Sequence, residues 1–406
     1  MGRHGINRRQ FIGKTAAGVF SAGLGLPLLN GDSLPQNAAE EIPIRTLGRT
    51  KLEIPILSFG VMNSDSPDLI RKAIDMGIKH LDTASAYLRG NSEMSIGKTL
   101  DEDKTRDKIY LATKMRFARD NDKNIFLESG PAREPLATKE NFQKQLETSL
   151  QRLRTDYVDI LYLHSCYSPE MVTYEPMMEA LVTAKKEGKT RFIGTSTHSN
   201  EPDVIRATVD ASIYDVVLTA QSVTLDKKEE IKKAIAYAAS KNIGVVAMKT
   251  HGGVRRNKED DPGIDHKSAF KWVLSDENIC TTIPGMTTFE QLDFNFNVMK
   301  NYALTAREET AVFQASRIQD PLHCQNCRSC ISSCPNGVEI PSLMRAYMYA
   351  EGYGNLLQAE MTAEVLPEAQ GLKACAECST CTASCKYGIK IYDRLQSLFA
   401  QGLTRT

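Results

Sequence analysis

The sequence predicts an α/β protein in which a (β/α)8 barrel, also called a TIM barrel, is followed by a small helical module. Eight short apolar runs, each followed by an amphipathic helical pattern, predict the barrel. Eight of the ten cysteines fall in two runs between residues 324 and 385, which predicts a separate module there. A chain of 406 residues is long enough for one large domain and one small domain.

The eight apolar runs are rich in Val, Ile and Leu without strict alternation, as is typical of parallel strands buried on both faces. In chain order the runs are ILSFG (56–60), HLDTA (80–84), IYLATK (109–114), DILYLH (159–164), RFIGTS (191–196), DVVLTA (215–220), GVVAMK (244–249) and TTIPG (281–285). Residues 44–57, before the first run, predict a small hairpin that closes the barrel floor. No Gly-x-Gly-x-x-Gly motif follows a strand, which argues against a Rossmann domain.

Residues 1–41 differ in composition and predict an export signal with a linker. Arg8 and Arg9 precede Phe11, and a glycine-rich apolar run extends from about residue 16 to residue 29. This arrangement resembles a twin-arginine signal, whose route exports proteins already folded around a cofactor. We therefore expect the twin-arginine machinery to deliver the protein to the periplasm or the outer face of the cytoplasmic membrane. Without a clear cleavage site, both removal of the segment and its retention as an anchor are open.

The charge balance and hydropathy exclude two classes of partner. The 50 basic residues equal the 50 acidic residues, and no basic patch is interleaved with aromatic residues, so we expect no nucleic-acid partner. No apolar run reaches the roughly 18 residues that a membrane-spanning helix needs, so we expect no transmembrane span.

Polar side chains with catalytic potential lie at the ends of three successive predicted strands. Asp82 ends the second strand with Tyr87 five residues further on, Lys114 ends the third, and His164 ends the fourth. Because a barrel gathers the carboxyl ends of its strands at one mouth, we expect these side chains to meet. Each residue alone also has a structural explanation, as a helix cap, a packing residue, a solvated strand end or a core histidine.

The four side chains together suit the reduction of a carbonyl group or, in reverse, the oxidation of an alcohol. Hydride delivered to the carbonyl carbon leaves negative charge on the oxygen, which Tyr87 can neutralise as a general acid. We expect the Lys114 ammonium to lower the pKa of Tyr87, and Asp82 to hold the lysine in place. His164 can donate a hydrogen bond that orients the carbonyl.

The segment GIKHLDTASAYLRGNSEMSIGKTL (77–100) resembles the signature of the aldo/keto reductase family. The similarity continues in IYLATK, LRTDYVDILYLH, GKTRFIGTS and TTIPGMTTFEQL, and covers nearly the whole barrel. It implies that Asp82, Tyr87, Lys114 and His164 form a catalytic tetrad, acting on a small-molecule carbonyl or alcohol. It also implies that NADP or NAD binds extended across the barrel mouth.

The same resemblance implies a set of cofactor contacts. Ser196 and Gln221 would hold the carboxamide of the nicotinamide, and Lys249 lies where the pyrophosphate passes. The residues implied around the adenosine end are Gly285, Met286, Gln291 and Asn295. Thr197 stands where the family usually has asparagine. The segment MTTFEQLDFN lacks an arginine for a 2′-phosphate, so NADP and NAD are both open, with a lean towards NADP.

Two features near the predicted mouth concern the substrate. Residues 115–140 form a long loop of mixed charge, which we expect to cover the substrate. Cys166, also near the mouth, is interpreted as a small buried residue rather than a nucleophile, and Cys280, beside the last strand, is interpreted as a core residue.

The two cysteine runs share the spacing C-x2-C-x2-C-x3-C, followed by Pro335 in the first run and by Lys386 in the second. Zinc usually takes two separated C-x2-C pairs, and cysteines this closely spaced bridge their neighbours poorly. Composition alone does not exclude disulfides. The spacing resembles that of two-cluster bacterial ferredoxins, in which the fourth cysteine of each run binds the other cluster.

The ferredoxin resemblance implies two 4Fe–4S clusters. One would be held by Cys324, Cys327, Cys330 and Cys385, and the other by Cys375, Cys378, Cys381 and Cys334. Residues 340–361 and 392–402 predict helices, so the module resembles an α-helical ferredoxin. The predicted domains are therefore a barrel at 42–318 and a module at 319–406, with a boundary near 319–321.

Three roles for the clusters are open. They could link an active NAD(P)H-dependent oxidoreductase to an external redox partner protein, or serve structure and docking. Alternatively the barrel is inactive and the protein is an electron-transfer or binding module. A nicotinamide gives up two electrons as hydride whereas a cluster moves one, so direct exchange between them is not assumed. The complete tetrad favours the first two roles.

Overall fold

The computed structural model describes residues 42–252, 264–317, 323–376, 378 and 380–403, which belong to one unit. The predicted export signal at 1–41 and the predicted boundary near 319–321 lie outside these residues. Within the described ranges, none of the helices is both long and apolar enough to cross a membrane.

Eight parallel strands form a nearly closed barrel, and each predicted run contributes one of them. The barrel strands are β3 (Phe59–Gly60), β4 (His80–Asp82), β5 (Tyr110–Met115), β8 (Val158–Leu163), β9 (Thr190–Thr197), β10 (Val216–Ala220), β11 (Gly244–Met248) and β12 (Thr281–Thr282). The first and last strands meet through parallel bridges, and the Ser58 amide donates to the Thr282 carbonyl at 2.8 Å. The predicted fold class is therefore confirmed.

The predicted hairpin is present as β1 (Ile44–Thr46) paired antiparallel with β2 (Glu53–Pro55). Its apolar side chains Leu47, Leu52 and Ile54 are buried against side chains of the barrel interior. The Arg49 amide donates to the Asn242 carbonyl at 2.7 Å, just before β11 begins. The hairpin therefore closes the end of the barrel at which the strands begin, opposite the mouth.

Helices surround the barrel. They are α1 (Pro67–Asp75), α2 (Asn91–Glu102), α3 (Lys139–Leu153), α4 (Pro169–Val172), α5 (Glu175–Lys186), α6 (Glu201–Asp210), α7 (Lys228–Ser240), α8 (His266–Leu274), α9 (Phe289–Lys300) and α10 (Ala306–Ala315). Local sequence sets several of their starts, because a Ser or Thr side chain accepts a hydrogen bond from the first helical turn. Ser66 caps α1 and Thr138 caps α3 in this way.

The long loop after Lys114 is ordered by a short hairpin, β6 (Arg119–Asp120) paired with β7 (Ile125–Phe126). Phe117 packs against Phe126 and Phe142, with ring centroids about 6 Å apart, which anchors the loop to the barrel core. The loop lies at the mouth, as predicted, and carries charged side chains beside the tetrad.

The C-terminal region is helical, as predicted, and contains α11 (Ile340–Tyr347), α12 (Leu356–Glu364), α13 (Lys373–Ala376) and α14 (Ile391–Ala400). A π-helical turn, Met348–Gly352, follows α11 directly. The region has its own apolar core, which includes Val338, Leu343 and Leu398. We call the described residues from 323 to 403 the C-terminal module.

The C-terminal module covers the barrel mouth. Loops that follow several barrel strands contact it, and the contacts lie on different sides of the mouth. They are Asn355–Asn63 (2.9 Å), Glu364–Arg89 (2.9 Å), Arg328–Asp122 (2.5 Å), Arg345–Tyr167 (3.1 Å), Asn326–Ser199 (2.8 Å) and Tyr387–Asp226 (2.8 Å). Any chemistry at the mouth therefore takes place beneath this module.

Candidate active site and cysteine groups

The structure brings the four predicted catalytic side chains together at the mouth. Lys114 at the end of β5 is 1% exposed, and its Nζ donates to Asp82 Oδ1 and, at 2.7 Å, to the Thr83 carbonyl. The same Nζ lies 4.9 Å from the centroid of the Tyr87 ring. The rings of Tyr87 and His164 meet edge to face, with centroids 5.7 Å apart.

Burial dominates the electrostatics of the lysine and aspartate pair. Desolvation raises the pKa of Asp82 and lowers the pKa of Lys114, and their ion pair opposes both shifts. Because leaving either charge buried without its partner costs more than burying both together, the two side chains fix each other's position. The pair is thus a rigid support beneath the Tyr87 ring.

The pKa of Tyr87 shifts in the direction opposite to our expectation. Burial and the negative charge of Asp82 raise it, whereas the guanidinium of Arg116 lowers it in part. Asp82 holds the Lys114 ammonium in an ion pair, which offsets the field that we expected to favour the phenolate. Arg116 was not predicted, because one basic residue in a loop of mixed charge has no distinguishing pattern.

His164 is held in its neutral form. Burial, followed by the positive charges of Lys114 and Arg116, lowers its pKa well below the ordinary value. Its Nδ1 is buried and has no hydrogen-bond partner in the part of the chain that the structure describes. A neutral imidazole with a free ring nitrogen can donate to a carbonyl oxygen without itself supplying the proton.

These shifts predict a flat pH profile for carbonyl reduction. Tyr87 has a raised pKa and stays protonated up to about pH 10, whereas His164 has a lowered pKa and stays neutral down to below about pH 6. The single-turnover rate of aldehyde reduction should therefore be constant between about pH 6 and 9. A rate that falls with an apparent pKa near 8 would contradict this assignment of the acid.

The predicted nicotinamide contacts also lie at strand ends. Gln221, which directly follows β10, is 1% exposed, and neither polar atom of its side-chain amide has a partner among the described residues. The Ser196 hydroxyl, near the end of β9, accepts a hydrogen bond from the Ser165 amide at 2.9 Å. This bond does not use the hydroxyl proton of Ser196. A buried amide without partners is costly unless a ligand pairs with it. Both residues therefore fit a carboxamide.

Gln221→Leu should weaken dinucleotide binding by about tenfold, because the variant keeps the side-chain volume but removes the amide oxygen and nitrogen that would pair with the carboxamide. Calorimetric titration with NADPH and NADH measures this effect. Gln358→Leu is the matched control, since Gln358 is a buried amide of the C-terminal module whose Oε1 also lacks a partner among the described residues. Equal dissociation constants for Gln221→Leu and the control would place the carboxamide elsewhere.

The remaining predicted cofactor residues follow the ends of β11 and β12. Lys249 lines a cleft of about 430 Å³ between the barrel and the C-terminal module. Asn295 Oδ1 pairs with His251 Nε2 at 2.8 Å, and Gln291 Oε1 accepts from the Thr287 amide at 2.7 Å.

Two positions in this region offer less to a ligand than their side chains suggest. The Met286 side chain is fully buried in the barrel core, beside Gly285, so only its main chain is available to a ligand. The Thr197 hydroxyl donates to the Ser199 carbonyl at 2.7 Å and is therefore engaged within its own loop.

The module cysteines gather across the two sequence runs, since one cavity is lined by Cys334, Cys375, Cys378 and Cys381. Burial and the neighbouring thiols raise the pKa of Cys330 and of Cys375 to about 12 each. The thiols whose charges act on Cys330 are Cys324, Cys327 and Cys385. Those that act on Cys375 are Cys334, Cys378 and Cys381. These neighbours match the two ligand sets that the ferredoxin resemblance implies.

The cysteine thiols of the C-terminal module are available as ligands. All ten cysteines have free thiols, so no disulfide competes for them. No three His, Cys, Asp or Glu side chains in the described ranges are arranged to hold a single metal ion. Cys166 is fully buried and Cys280 is 9% exposed, as expected for core residues. Each crossed group offers the four thiols that a 4Fe–4S cluster takes as ligands.

The family of the barrel defines the class of protein, which is an oxidoreductase. The chain belongs to the aldo/keto reductase family, whose model matches residues 59–269. A 4Fe-4S dicluster domain matches residues 323–390. These matches confirm the resemblances to the aldo/keto reductase family and to a 4Fe–4S domain, whereas the twin-arginine resemblance stays a prediction.

Relatives and solved structures agree with this assignment. Aldo-keto reductase YhdN of Bacillus subtilis (strain 168) is 36% identical over 149 residues, which is 36% of this chain and 42% of the relative. Probable aldo-keto reductase 1 of Glycine max is 27% identical over 327 residues, covering 68% and 89% of the two chains. The holo structure of aldo-keto reductase AKR11C1 from Bacillus halodurans, 23% identical, matches the fold with a TM-score of 0.54 over 68% of this chain and 96% of its own.

Proposed function

We propose that this protein interconverts a small-molecule carbonyl and an alcohol by hydride transfer with NADP or NAD, with Tyr87 as general acid and base. The observation that carries this proposal is the meeting of Asp82, Tyr87, Lys114 and His164 at the barrel mouth. A bound nicotinamide supplies the hydride. The chain's own side chains supply orientation and the proton.

The tetrad residues divide these tasks. Neutral His164 donates a hydrogen bond to the carbonyl oxygen and fixes its direction. Tyr87 holds its proton until negative charge develops on that oxygen, and then transfers it. Because its pKa is raised, Tyr87 is protonated near neutral pH, which is the form that reduction requires, whereas alcohol oxidation would require its phenolate.

The chain offers a continuous set of residues to the dinucleotide. We propose that Ser196 and Gln221 hold the carboxamide and that Lys249 lies beside the pyrophosphate. The adenosine end is assigned to Gly285, Met286, Gln291 and Asn295. Residues 286–295 contain no cation for a 2′-phosphate, so the choice between NADP and NAD is left to direct binding measurements.

We further propose that the C-terminal module holds two 4Fe–4S clusters and passes electrons to or from a redox partner protein. The ligand sets are the two crossed cysteine groups described above. Bound clusters supply one-electron transfer. The module contacts loops on several sides of the mouth, which supports coupling between the clusters and the barrel rather than independent function.

The proposed domain limits are 1–41 for a twin-arginine signal and linker, 42–318 for the barrel, and 319–406 for the cluster domain. With such a signal, the protein would fold around its cofactors before export to the periplasm or to the outer face of the cytoplasmic membrane. A cofactor bound before export would also explain how a nicotinamide enzyme works where soluble nicotinamide is scarce.

The test is anaerobic purification followed by denaturation. The proposal predicts release of one nicotinamide dinucleotide per chain and turnover of generic aldehydes by the intact protein. Failure to release or bind a dinucleotide, together with no aldehyde turnover, would contradict it.

One observation favours a second candidate, an electron-transfer or binding module in which the barrel is inactive. The π-helical turn of the C-terminal module places Tyr349 near Tyr87, where burial, with a smaller contribution from Tyr87, raises the pKa of Tyr349 to about 12. A covered mouth restricts the access of substrate to the tetrad. A full complement of clusters without aldehyde turnover, in both Tyr87→Phe and the unchanged protein, would select this second candidate.

A further inference from the structure

Basic side chains line both walls of the cleft beside the tetrad. Lys249 contributes from the barrel, directly after β11, and Arg345 contributes from α11 of the C-terminal module. Tyr167 lies between these walls, where its hydroxyl accepts from Arg345 at 3.1 Å and pairs with His198 Nε2 at 3.0 Å. Arg119 adds a third cation, with its guanidinium carbon 4.2 Å from the centroid of the Tyr167 ring.

Neither wall cation has a carboxylate partner within ion-pair distance in the part of the chain that the structure describes. Glu339 is the carboxylate whose charge acts on Arg345, but it makes its ion pair with Arg328 at 2.7 Å. Glu201 lines the same cleft as Lys249 and makes no ion pair with any described cation. The charge of Glu201 acts on Lys249 from beyond ion-pair distance, so no described carboxylate pairs directly with either wall cation.

The two cations are close enough to disturb each other. Burial, and after it the charge of Arg345, lowers the pKa of Lys249 to about 8. Two like charges facing each other in a half-buried cleft are destabilising unless an anion lies between them. A guanidinium binds two oxygens of a phosphate or carboxylate at once, and an ammonium adds a third contact.

We propose that Lys249 and Arg345 together bind an oxyanion, a phosphate or a carboxylate, carried by the ligand of this cleft. The C-terminal module thus contributes a binding residue to the barrel's own ligand. The oxyanion belongs either to the pyrophosphate of the dinucleotide or to an acidic substrate. Only the assignment of the oxyanion to the dinucleotide or to a substrate rests on the proposed function, because binding an oxyanion requires no turnover.

The experiment uses the full-length protein, purified anaerobically with its clusters and freed of bound dinucleotide, and inorganic pyrophosphate as the probe. Calorimetric titration should detect binding to the unchanged protein, and Arg345→Gln should raise the dissociation constant by about tenfold or more. Arg345→Lys, which keeps the charge, should recover part of the loss. Iron content and the visible spectrum establish that the module is intact in each variant.

The matched control is Arg133→Gln. Arg133 also joins the barrel to the module, since it donates to the Glu364 carbonyl at 2.7 Å, but it does not line the cleft. This variant should bind pyrophosphate like the unchanged protein. Absence of pyrophosphate binding by the unchanged protein, or equal dissociation constants for Arg345→Gln and the control, would overturn the proposal.

Two further titrations identify the source of the oxyanion. If Arg345→Gln also weakens binding of NADPH or NADH by about tenfold, the oxyanion is the cofactor's pyrophosphate. If dinucleotide binding is unchanged and KM rises for carboxylate-bearing carbonyls but not for neutral aldehydes, the oxyanion belongs to the substrate. A protein that binds pyrophosphate through Arg345 but turns over no carbonyl would retain this proposal and reject the proposed function.

Discussion

Replacement of Tyr87 by phenylalanine is expected to lower the rate of carbonyl reduction by about 10²- to 10⁴-fold, the usual contribution of a positioned general acid. The variant removes one hydroxyl group and keeps the ring that packs against His164 and lies above Lys114. Stability and dinucleotide affinity should therefore be unchanged. Single-turnover reduction of an aromatic aldehyde, monitored by nicotinamide absorbance, measures the effect.

Tyr349→Phe is the matched control for this variant. Tyr349 is a second buried tyrosine beside the tetrad, and its hydroxyl has no assigned part in proton transfer. The control should reduce the aldehyde within a few-fold of the unchanged rate. A Tyr87→Phe variant that reacts as fast as this control would remove Tyr87 from its role as general acid.

The second large effect concerns the crossed cysteine groups. A double variant, Cys324→Ala with Cys385→Ala, should lose one cluster and keep about four of the roughly eight iron atoms. Both substitutions fall in the group around Cys330, although the two cysteines belong to different sequence runs. Iron analysis and EPR spectroscopy of the reduced protein, both under anaerobic conditions, measure the loss.

A second double variant combines two cysteines of the same sequence run. Cys324→Ala with Cys334→Ala removes two cysteines of one sequence run, which lie in different groups. This second variant should damage both clusters and retain little iron. The opposite pattern, with the same-run variant keeping one intact cluster, would refute the crossed arrangement.

Much of the barrel and the tetrad was predictable from the sequence because both follow from short-range patterns. Each strand is an apolar run, and the carboxyl ends of parallel strands necessarily meet at one mouth. Asp82, Lys114 and His164 could therefore be grouped before any coordinates were known. The crossed ligand sets were implied by the resemblance of both runs to two-cluster ferredoxins, and they stay a prediction that the iron analysis tests.

The features that were not predicted depend on contacts between distant segments. Arg345 and Tyr349 reach the mouth only because the C-terminal module packs over it, and no local pattern encodes that packing. The pKa of Tyr87 was likewise not predicted, because its burial outweighs the expected effect of Lys114. The Met286 side chain likewise faces the core rather than a ligand, which its position after β12 did not indicate.

The most direct test of the central claim is the fate of a labelled hydride. The full-length protein, purified anaerobically with its clusters, would be mixed with an aromatic aldehyde and NADPH or NADH deuterated at C4 on one face or the other. The account predicts that the unchanged protein forms an alcohol with one deuterium on the former carbonyl carbon. This labelled alcohol should form with only one of the two cofactors, the one deuterated on the face that the protein uses. Unlabelled alcohol from both cofactor faces, or no alcohol from a protein with its full iron content, would contradict hydride transfer at the tetrad.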